Sequence, residues 1–274
     1  MFELREKGNI KYYVPTSLEE TGLVKVGFST REGGVSEGCY RSMNLRWHCE
    51  DSAENVRENY RRISEALGID YRDVVLSKQV HEDVVYAPKT EDKGNGIIFE
   101  NRFKSADALI TDRADIALCV TAADCTPLFF LDPKKRVVAL AHSGWRGTVK
   151  RIGAKTVEKM VRDCGSEAED ILAVIGPSIW IECFEVGDEV ADEFIKEFGA
   201  GVAQRYGEKY HVSMQAAIAQ QLRETGVKAE HIEDCGICTY CNSELLFSHR
   251  KTNGRRGNLG AFIQLRNGHG EKDG

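Results

Sequence analysis

Residues 122–148 read AADCTPLFFLDPKKRVVALAHSGWRGT and carry three groups that do chemistry: Cys125, His142 and Arg146. Cys125 precedes one apolar run and His142 closes the next, with the polar Asp132, Pro133, Lys134 and Lys135 between them. A hairpin with those four residues as its loop sets Leu131 against Arg136 and, counting outward, Cys125 against His142. Directly opposed side chains share a face, with Cβ atoms about 4.5–5.5 Å apart. A thiolate and an imidazole so placed can bind one metal ion. A one-residue change of register would send them to opposite faces. Without a metal, the same pair reads as a cysteine nucleophile with a histidine base.

A metal needs a third ligand. His81, in SKQVHEDVV, lies between two apolar runs and could sit at a strand edge or turn. Two histidines and a cysteine make an open site with a position for water or substrate. After His142, SGWRGTV is bracketed by glycines and leads into a helix. Backbone N–H groups at such a start attract anions, and Arg146 adds a bidentate donor for phosphate or carboxylate. Cys235, Cys238 and Cys241 have C-x-x-C-x-x-C spacing, a pattern of zinc or iron–sulfur sites. Their fourth ligand is missing unless His249 serves, so ordinary thiols are the expectation. His211, His231 and His269 sit in polar contexts that point to no ligand role.

Positioning these groups takes a mixture of elements. Helical spacing is clearest over 51–68, where Val56, Tyr60, Ile63 and Leu67 recur behind Asp51 or Ser52 and before Gly68. Further helices are expected after Gly147 (Val149, Ile152, Met160 and Val161 on one side), over 188–198 and over 213–225. Nine apolar or alternating runs, from LVKVGFST at 23–30 to LGAFIQLR at 259–266, read as strands. They alternate irregularly with the helices, which predicts an α+β fold with mixed or largely antiparallel sheets. No repeat, low-complexity segment or long linker divides the chain, so one domain over 1–274 is expected.

Composition narrows the function. The 274 residues are 42% hydrophobic and 29% charged, with a net charge of −6. That balance argues against a nucleic-acid binder held by phosphate contacts. No run of 18 apolar residues suggests a membrane helix, and the start MFELREKGNIKYYV lacks a signal-peptide core. Nine cysteines without an export signal point to free thiols in a reducing cytoplasm.

Six ordered segments, KQVHEDVV, SADALIT, TAADCTPLFFLD, AHSGWRGT, GPSI…CFEV and CTYC…LFSHRK…GR, together resemble the laccase-domain family. Its members are named polyphenol oxidases, peptidoglycan editing factors and purine nucleoside phosphorylases. The resemblance implies a single α+β domain of packed mixed β-sheets flanked by helices, related to a toxin deamidase fold with a Cys–His pair. It implies a catalytic zinc held by His81, Cys125 and His142. Implied activities are phosphorolysis of adenosine, inosine, guanosine and methylthioadenosine, with adenosine deamination; copper-dependent phenol oxidation is a further one. Small-molecule nucleoside and phosphate are then the partners, in a cytoplasmic monomer or homodimer. By resemblance Arg31, Asn44, His48, Asp124, Arg146 and Arg250 belong to the substrate pocket.

Phosphorolysis would use Arg146 and nearby N–H groups to hold phosphate, with Asp124 or a histidine giving a proton to the base. Deamination would need an activated water instead. A multicopper site needs more histidines than the seven present allow alongside other roles. A metal-free cysteine hydrolase acting on peptidoglycan precursors, with Cys125 as nucleophile, is a further alternative. The chain departs from the family pattern at Arg46 and Trp47, where Gly-Leu is common, and at Ser213 and Ile218, where aspartate and asparagine are usual.

Overall fold

A computed structural model describes residues 1–267, so His269 lies outside the described residues. In chain order the first elements are β1 (Phe2–Lys7), β2 (Ile10–Pro15), α1 (Thr16–Glu19), β3 (Val24–Ser29), α2 (Ala53–Ala66), β4 (Val74–Leu76) and β5 (Val85–Tyr86). Then come β6 (Ala108–Thr111), β7 (Ala117–Ala122), β8 (Thr126–Asp132), β9 (Val137–Ser143), α3 (Trp145–Val149) and α4 (Ile152–Cys164). The rest are β10 (Leu172–Ile175), β11 (Glu185–Val186), α5 (Asp188–Phe198), β12 (Ala203–Tyr206), β13 (Lys209–Val212), α6 (Met214–Glu224), β14 (Ile232–Asp234) and β15 (Leu259–Leu265).

Two six-stranded sheets form the body, in the orders β1-β2-β3-β15-β7-β4 and β14-β10-β8-β9-β6-β5. A small third sheet has the order β11-β13-β12. Pairing is mostly antiparallel, with β4–β7, β5–β6 and β10–β14 parallel. The expected α+β class with mixed sheets is the observed one.

Side-chain alternation builds four layers. Phe129, Leu131, Val138 and Leu140 face the first sheet's Phe28, Leu118, Val120 and Ile263 in a core between the sheets. Their neighbours Leu128, Phe130, Ala139 and Ala141 face the opposite way, against Val157, Met160, Phe194 and Ile218 of the helices. The first sheet's outer face packs Cys119 and Phe262 on Val56, Tyr60 and Ile63 of α2. Because β8 and β9 are covered on both faces, every residue in them is buried and the sequence shows apolar runs rather than alternation. Each buried phenylalanine here contributes about 1.5–3 kcal/mol.

Local signals explain most boundaries. Ser52 caps α2 by accepting from the Asn55 N–H (3.1 Å), and Gly68 stops it with φ +69°. Ser213 caps α6 through the Ala216 N–H (3.1 Å), so serine does at that position what an aspartate would. The helix expected after Gly147 is two helices, because Arg151 adopts φ +63° and breaks the run. Val161 is 39% exposed and belongs on the solvent side of α4, one position round from Met160. Sequence patterning missed the β1–β2 hairpin, since its edge strand is largely exposed and charged. The signal available was its two-residue Gly8-Asn9 loop.

The hairpin register also needs correcting. The loop has four residues, but they are 133–136, and Pro127 rather than Cys125 faces His142. Asp132 sets this loop by accepting from the N–H groups of Lys134 (2.9 Å) and Lys135 (3.0 Å), and Arg136 closes it at φ +55°. The pairing therefore slips by two residues. An even slip keeps the face, so Cys125 becomes a diagonal neighbour of His142 on the same side.

Candidate metal centre and cleft

Two chain crossings bring the site together. After β4 at the edge of the first sheet, residues 77–84 pass to β5 at the edge of the second, and His81 sits in this passage at φ +61°. After β7 of the first sheet, residues 123–125 pass to β8 of the second, with Asp124 at φ +84°. His142 comes from the end of β9, on the face between the sheets. The donor atoms of His81, Cys125 and His142 all lie within 4.8 Å of one another. The two imidazoles meet edge to face, with ring centroids 5.0 Å apart.

One carboxylate organises both histidines. Asp107, fully buried before β6, accepts from the backbone N–H groups of Val80 (3.0 Å), His81 (3.1 Å) and Glu82 (3.1 Å). Its Oδ1 also lies 3.0 Å from His142 Nδ1. That bond orients the ring and leaves Nε2 free as a ligand, the arrangement that raises the basicity of metal-bound histidine. Burial opposes ionisation of Asp107, but His142 and these N–H groups hold its pKa below the usual value. Burial likewise opposes protonation of His142; the Cys125 sulfur and Asp107 outweigh it and push the pKa up to about 9. His81 moves the other way, lowered by partial burial and by His142. Nothing in the SADALIT segment marks Asp107 as a site residue, because its partners are remote in sequence.

Gly144 completes the centre. A Cβ there would lie 3.0 Å from His81 Nδ1 and 3.1 Å from Cys125 Sγ, so any larger residue would push one of these two donors aside by a few tenths of an ångström. The donor set itself suits a borderline-soft ion: two imidazoles and one thiol, with the buried histidine oriented by a carboxylate. The residues fit a zinc ion.

The three donors open onto a cleft of about 670 Å³. Its walls include Leu45, Ile97 and Phe99 on the apolar side, and Arg46, His48 and Arg256 on the basic side. Among the described residues, neither Arg46 nor Arg256 has a carboxylate partner within 4.0 Å. Arg256 is the more unusual. Burial, with Arg46 beside it, lowers its pKa, and its Nε has no hydrogen-bond partner. A half-buried cation with an unspent donor is a place for an anion. Arg46 is one of the departures from the family pattern, and the structure puts that departure on the cleft wall.

The other sequence candidates divide. His48 lines the cleft, at φ +54°. Asn44 lies behind the wall: it donates to Asp51 (2.8 Å) and accepts from the N–H groups of Arg46 (2.8 Å) and Asn258 (3.1 Å), which shapes the loop that carries Arg46. Arg31 is spent on the carbonyls of Arg41 (2.9 Å) and Ser243 (3.0 Å). Asp124 accepts from Thr239 Oγ1 (2.6 Å) and the Arg250 N–H (2.7 Å), which pins the second crossing. The Arg250 side chain points to the Cys183 carbonyl (3.4 Å) and the Phe184 ring. Arg146 is exposed, stacked on Trp145 at 4.2 Å, and is not among the cleft's lining residues. It still acts electrostatically on His81, while the cations that line the cleft are Arg46, Arg57, Lys78 and Arg256.

The second cysteine group is not the one spacing suggested. Cys238 and Cys241 meet Cys183, whereas Cys235 stands apart at the end of β14 with its N–H on the Ile175 carbonyl (3.0 Å). His249 is not with them, since its Nδ1 lies 3.2 Å from an Arg256 nitrogen.

Comparison with known proteins agrees with this architecture. Residues 25–266 match the family described as multi-copper polyphenol oxidoreductase laccase. A purine nucleoside phosphorylase, YlmD, of Bacillus subtilis strain 168 is 34% identical over 247 residues, covering 89% of each chain. An adenosine deaminase, RL5, from an unknown prokaryotic organism is 35% identical over 230 residues, covering 82% of this chain and 87% of the relative. The crystal structure of YlmD from Geobacillus stearothermophilus superposes with a TM-score of 0.88 at 30% identity, over 97% of this chain and 100% of the other.

Proposed function

Because the chain belongs to this laccase-domain family, we propose that it is a zinc-dependent purine nucleoside phosphorylase that also deaminates adenosine. The observation that carries the reading is a nitrogen–sulfur donor set opening onto a cleft whose arginines, Arg46, Arg57 and Arg256, lack carboxylate partners among the described residues. His81, Cys125 and His142 would hold the zinc, which when bound supplies a Lewis acid with an open position.

The chain's own groups account for the rest. Arg46 and Arg256 hold inorganic phosphate, and burial of Arg256 makes each contact stronger than it would be in water. Leu45, Ile97 and Phe99 offer an apolar wall to the purine. A phosphate oxygen then bonds to the anomeric carbon of the ribose while the bond from that carbon to the purine nitrogen breaks. The departing purine takes up a proton, and His48 is a titratable group on the cleft wall that can give it. With water as nucleophile at the amino-bearing ring carbon, the same cleft would release ammonia from adenosine. Adenosine, inosine, guanosine and methylthioadenosine share a purine on a furanose ring, the unit such a cleft would recognise. The free thiols suit a reducing cytoplasm.

The test is an assay of zinc-loaded protein with adenosine and with inosine, with and without phosphate, resolving free base from deaminated nucleoside. Phosphate-dependent base release is expected from both substrates; no product from either would overturn the reading. An Arg256→Gln variant is expected to raise the KM for phosphate by roughly tenfold or more, since a buried charged contact contributes about 1.5–3 kcal/mol.

A second reading draws on the line Asp107–His142–Cys125. A carboxylate orienting an imidazole beside a thiol also describes a cysteine hydrolase without metal, with peptidoglycan precursor amides as substrates. Activity that survives chelation and is abolished by a thiol alkylator would favour it. A copper ion would have the same three donors, so phenol oxidation would be side chemistry of a copper-loaded site.

A further inference from the structure

A second set of soft donors lies outside the cleft. Cys183 comes from the turn after β10, at residues 180–184, and Cys238 and Cys241 from the turn after β14. Their sulfur atoms all lie within 4.8 Å of one another, and those of Cys183 and Cys241 are 3.5 Å apart. Sulfurs bound to one tetrahedral zinc at about 2.3 Å stand about 3.8 Å from each other. The observed spacing therefore brackets that of a zinc–thiolate site. Cys238 is 8% exposed, Cys183 intermediate and Cys241 exposed, so one side of the group faces solvent.

The surroundings fit a bound ion. A C-x-x-C pair on one turn and a third thiol from another is how small zinc sites join two loops. Three thiolates and one Zn²⁺ carry a net negative charge. Two cations stand beside it: Arg250, donating to the Cys183 carbonyl, and Lys251, whose Nζ is 4.5 Å from the centroid of the Tyr240 ring. The backbone already aligns the two segments: the Ser178 N–H donates to the Ile237 carbonyl (3.2 Å) and the Thr239 N–H to the Ser178 carbonyl (3.0 Å).

We propose that Cys183, Cys238 and Cys241 bind one zinc ion, with water in the fourth position, and that this ion staples residues 178–184 to residues 237–242. The staple bears on the cleft indirectly. Thr239 and the Arg250 N–H hold the Asp124 carboxylate, and the Ile179 N–H donates to the Asp124 carbonyl (3.0 Å). Asp124 is the left-handed residue that sets Cys125 in place. The second site is thus structural, and its occupancy does not depend on the chemistry assigned to His81, Cys125 and His142.

The experiment counts zinc in protein purified without chelator, by elemental analysis and intact mass. Cys241→Ser and the double variant Cys183→Ser/Cys241→Ser are compared with wild type, with Cys235→Ser as the control. The double variant is expected to lose about one equivalent of zinc per chain, and the control to lose none. Cadmium-113 NMR of the cadmium-loaded wild-type protein needs no variant; it is expected to show a three-sulfur resonance beside one from a mixed nitrogen–sulfur site. Equal zinc content in wild type and double variant, absence of the three-sulfur resonance, or a wild-type mass lighter by two hydrogens from a Cys183–Cys241 disulfide would each overturn the proposal.

Discussion

Asp107 and Gly144 are residues on which the proposed metal centre would depend heavily, although neither would be a ligand. Replacing Asp107 by asparagine keeps the size but removes the carboxylate that fixes His142 and the loop at 80–82. Zinc affinity is expected to fall about 10–100-fold, the usual cost of losing such a partner, measured by competition with a chromophoric chelator. Gly144→Ala forces His81 Nδ1 or Cys125 Sγ to move by a few tenths of an ångström. That variant is expected to keep the melting temperature of the metal-free protein while losing tight zinc binding. Acidity gives a third check. With its pKa raised to about 9, His142 carries a proton at neutral pH when no metal is bound, and zinc must displace it. Zinc affinity should therefore rise with pH up to about 9. The metal-free protein should behave oppositely: the raised pKa stabilises the fold below the ordinary value of 6.5, and that contribution is lost as pH climbs through 9. Melting curves across that range, with and without zinc, would separate the two. His81, Cys125 and His142 were legible because their residue types and family-like segments mark them. Asp107 was not, since a carboxylate becomes a metal-site residue only through partners 25 to 35 positions away.

At the scale of elements, the β8–β9 hairpin shows what patterning can and cannot specify. Two apolar runs around a polar DPKK announce a hairpin, and the face shared by Cys125 and His142 follows from parity. The register itself rests on the Asp132 carboxylate accepting two loop N–H groups, and no hydrophobic pattern encodes that. Packing then locks it. A one-residue slip would turn Leu140 and Val138 toward the helices and Ala139 and Ala141 toward the other sheet, at a cost of several kcal/mol in voids and overpacking. Lengthening the loop by one residue costs only about 0.2 kcal/mol of closure entropy. A glycine inserted between Lys134 and Lys135 should accordingly be absorbed in the loop, leaving zinc content unchanged; loss of zinc would show that the turn outweighs the packing. The helix broken at Arg151 and the overlooked β1–β2 hairpin share a cause. Each is fixed by contacts made elsewhere, in one case Glu197 and Glu224, in the other the edge of β3.

For the whole molecule, a net charge of −6 and a basic cleft are compatible because the cations are local. Composition argues against a nucleic-acid binder held by phosphate contacts but could not locate Arg46 and Arg256, which are 210 positions apart and meet where the segments flanking β3 and β15 join in the first sheet. The packing of the two sheets has a kinetic consequence. His81 and Cys125 both lie on passages from one sheet to the other, so the donor set exists only after the two sheets have docked. An ion bound there rewards the finished fold and not the approach to it. Zinc should therefore slow unfolding severalfold while leaving the refolding rate nearly unchanged, which stopped-flow measurements with and without chelator can read. An ion held at this centre would then load last in the protein's maturation, and a chain carrying it would already have been proofread.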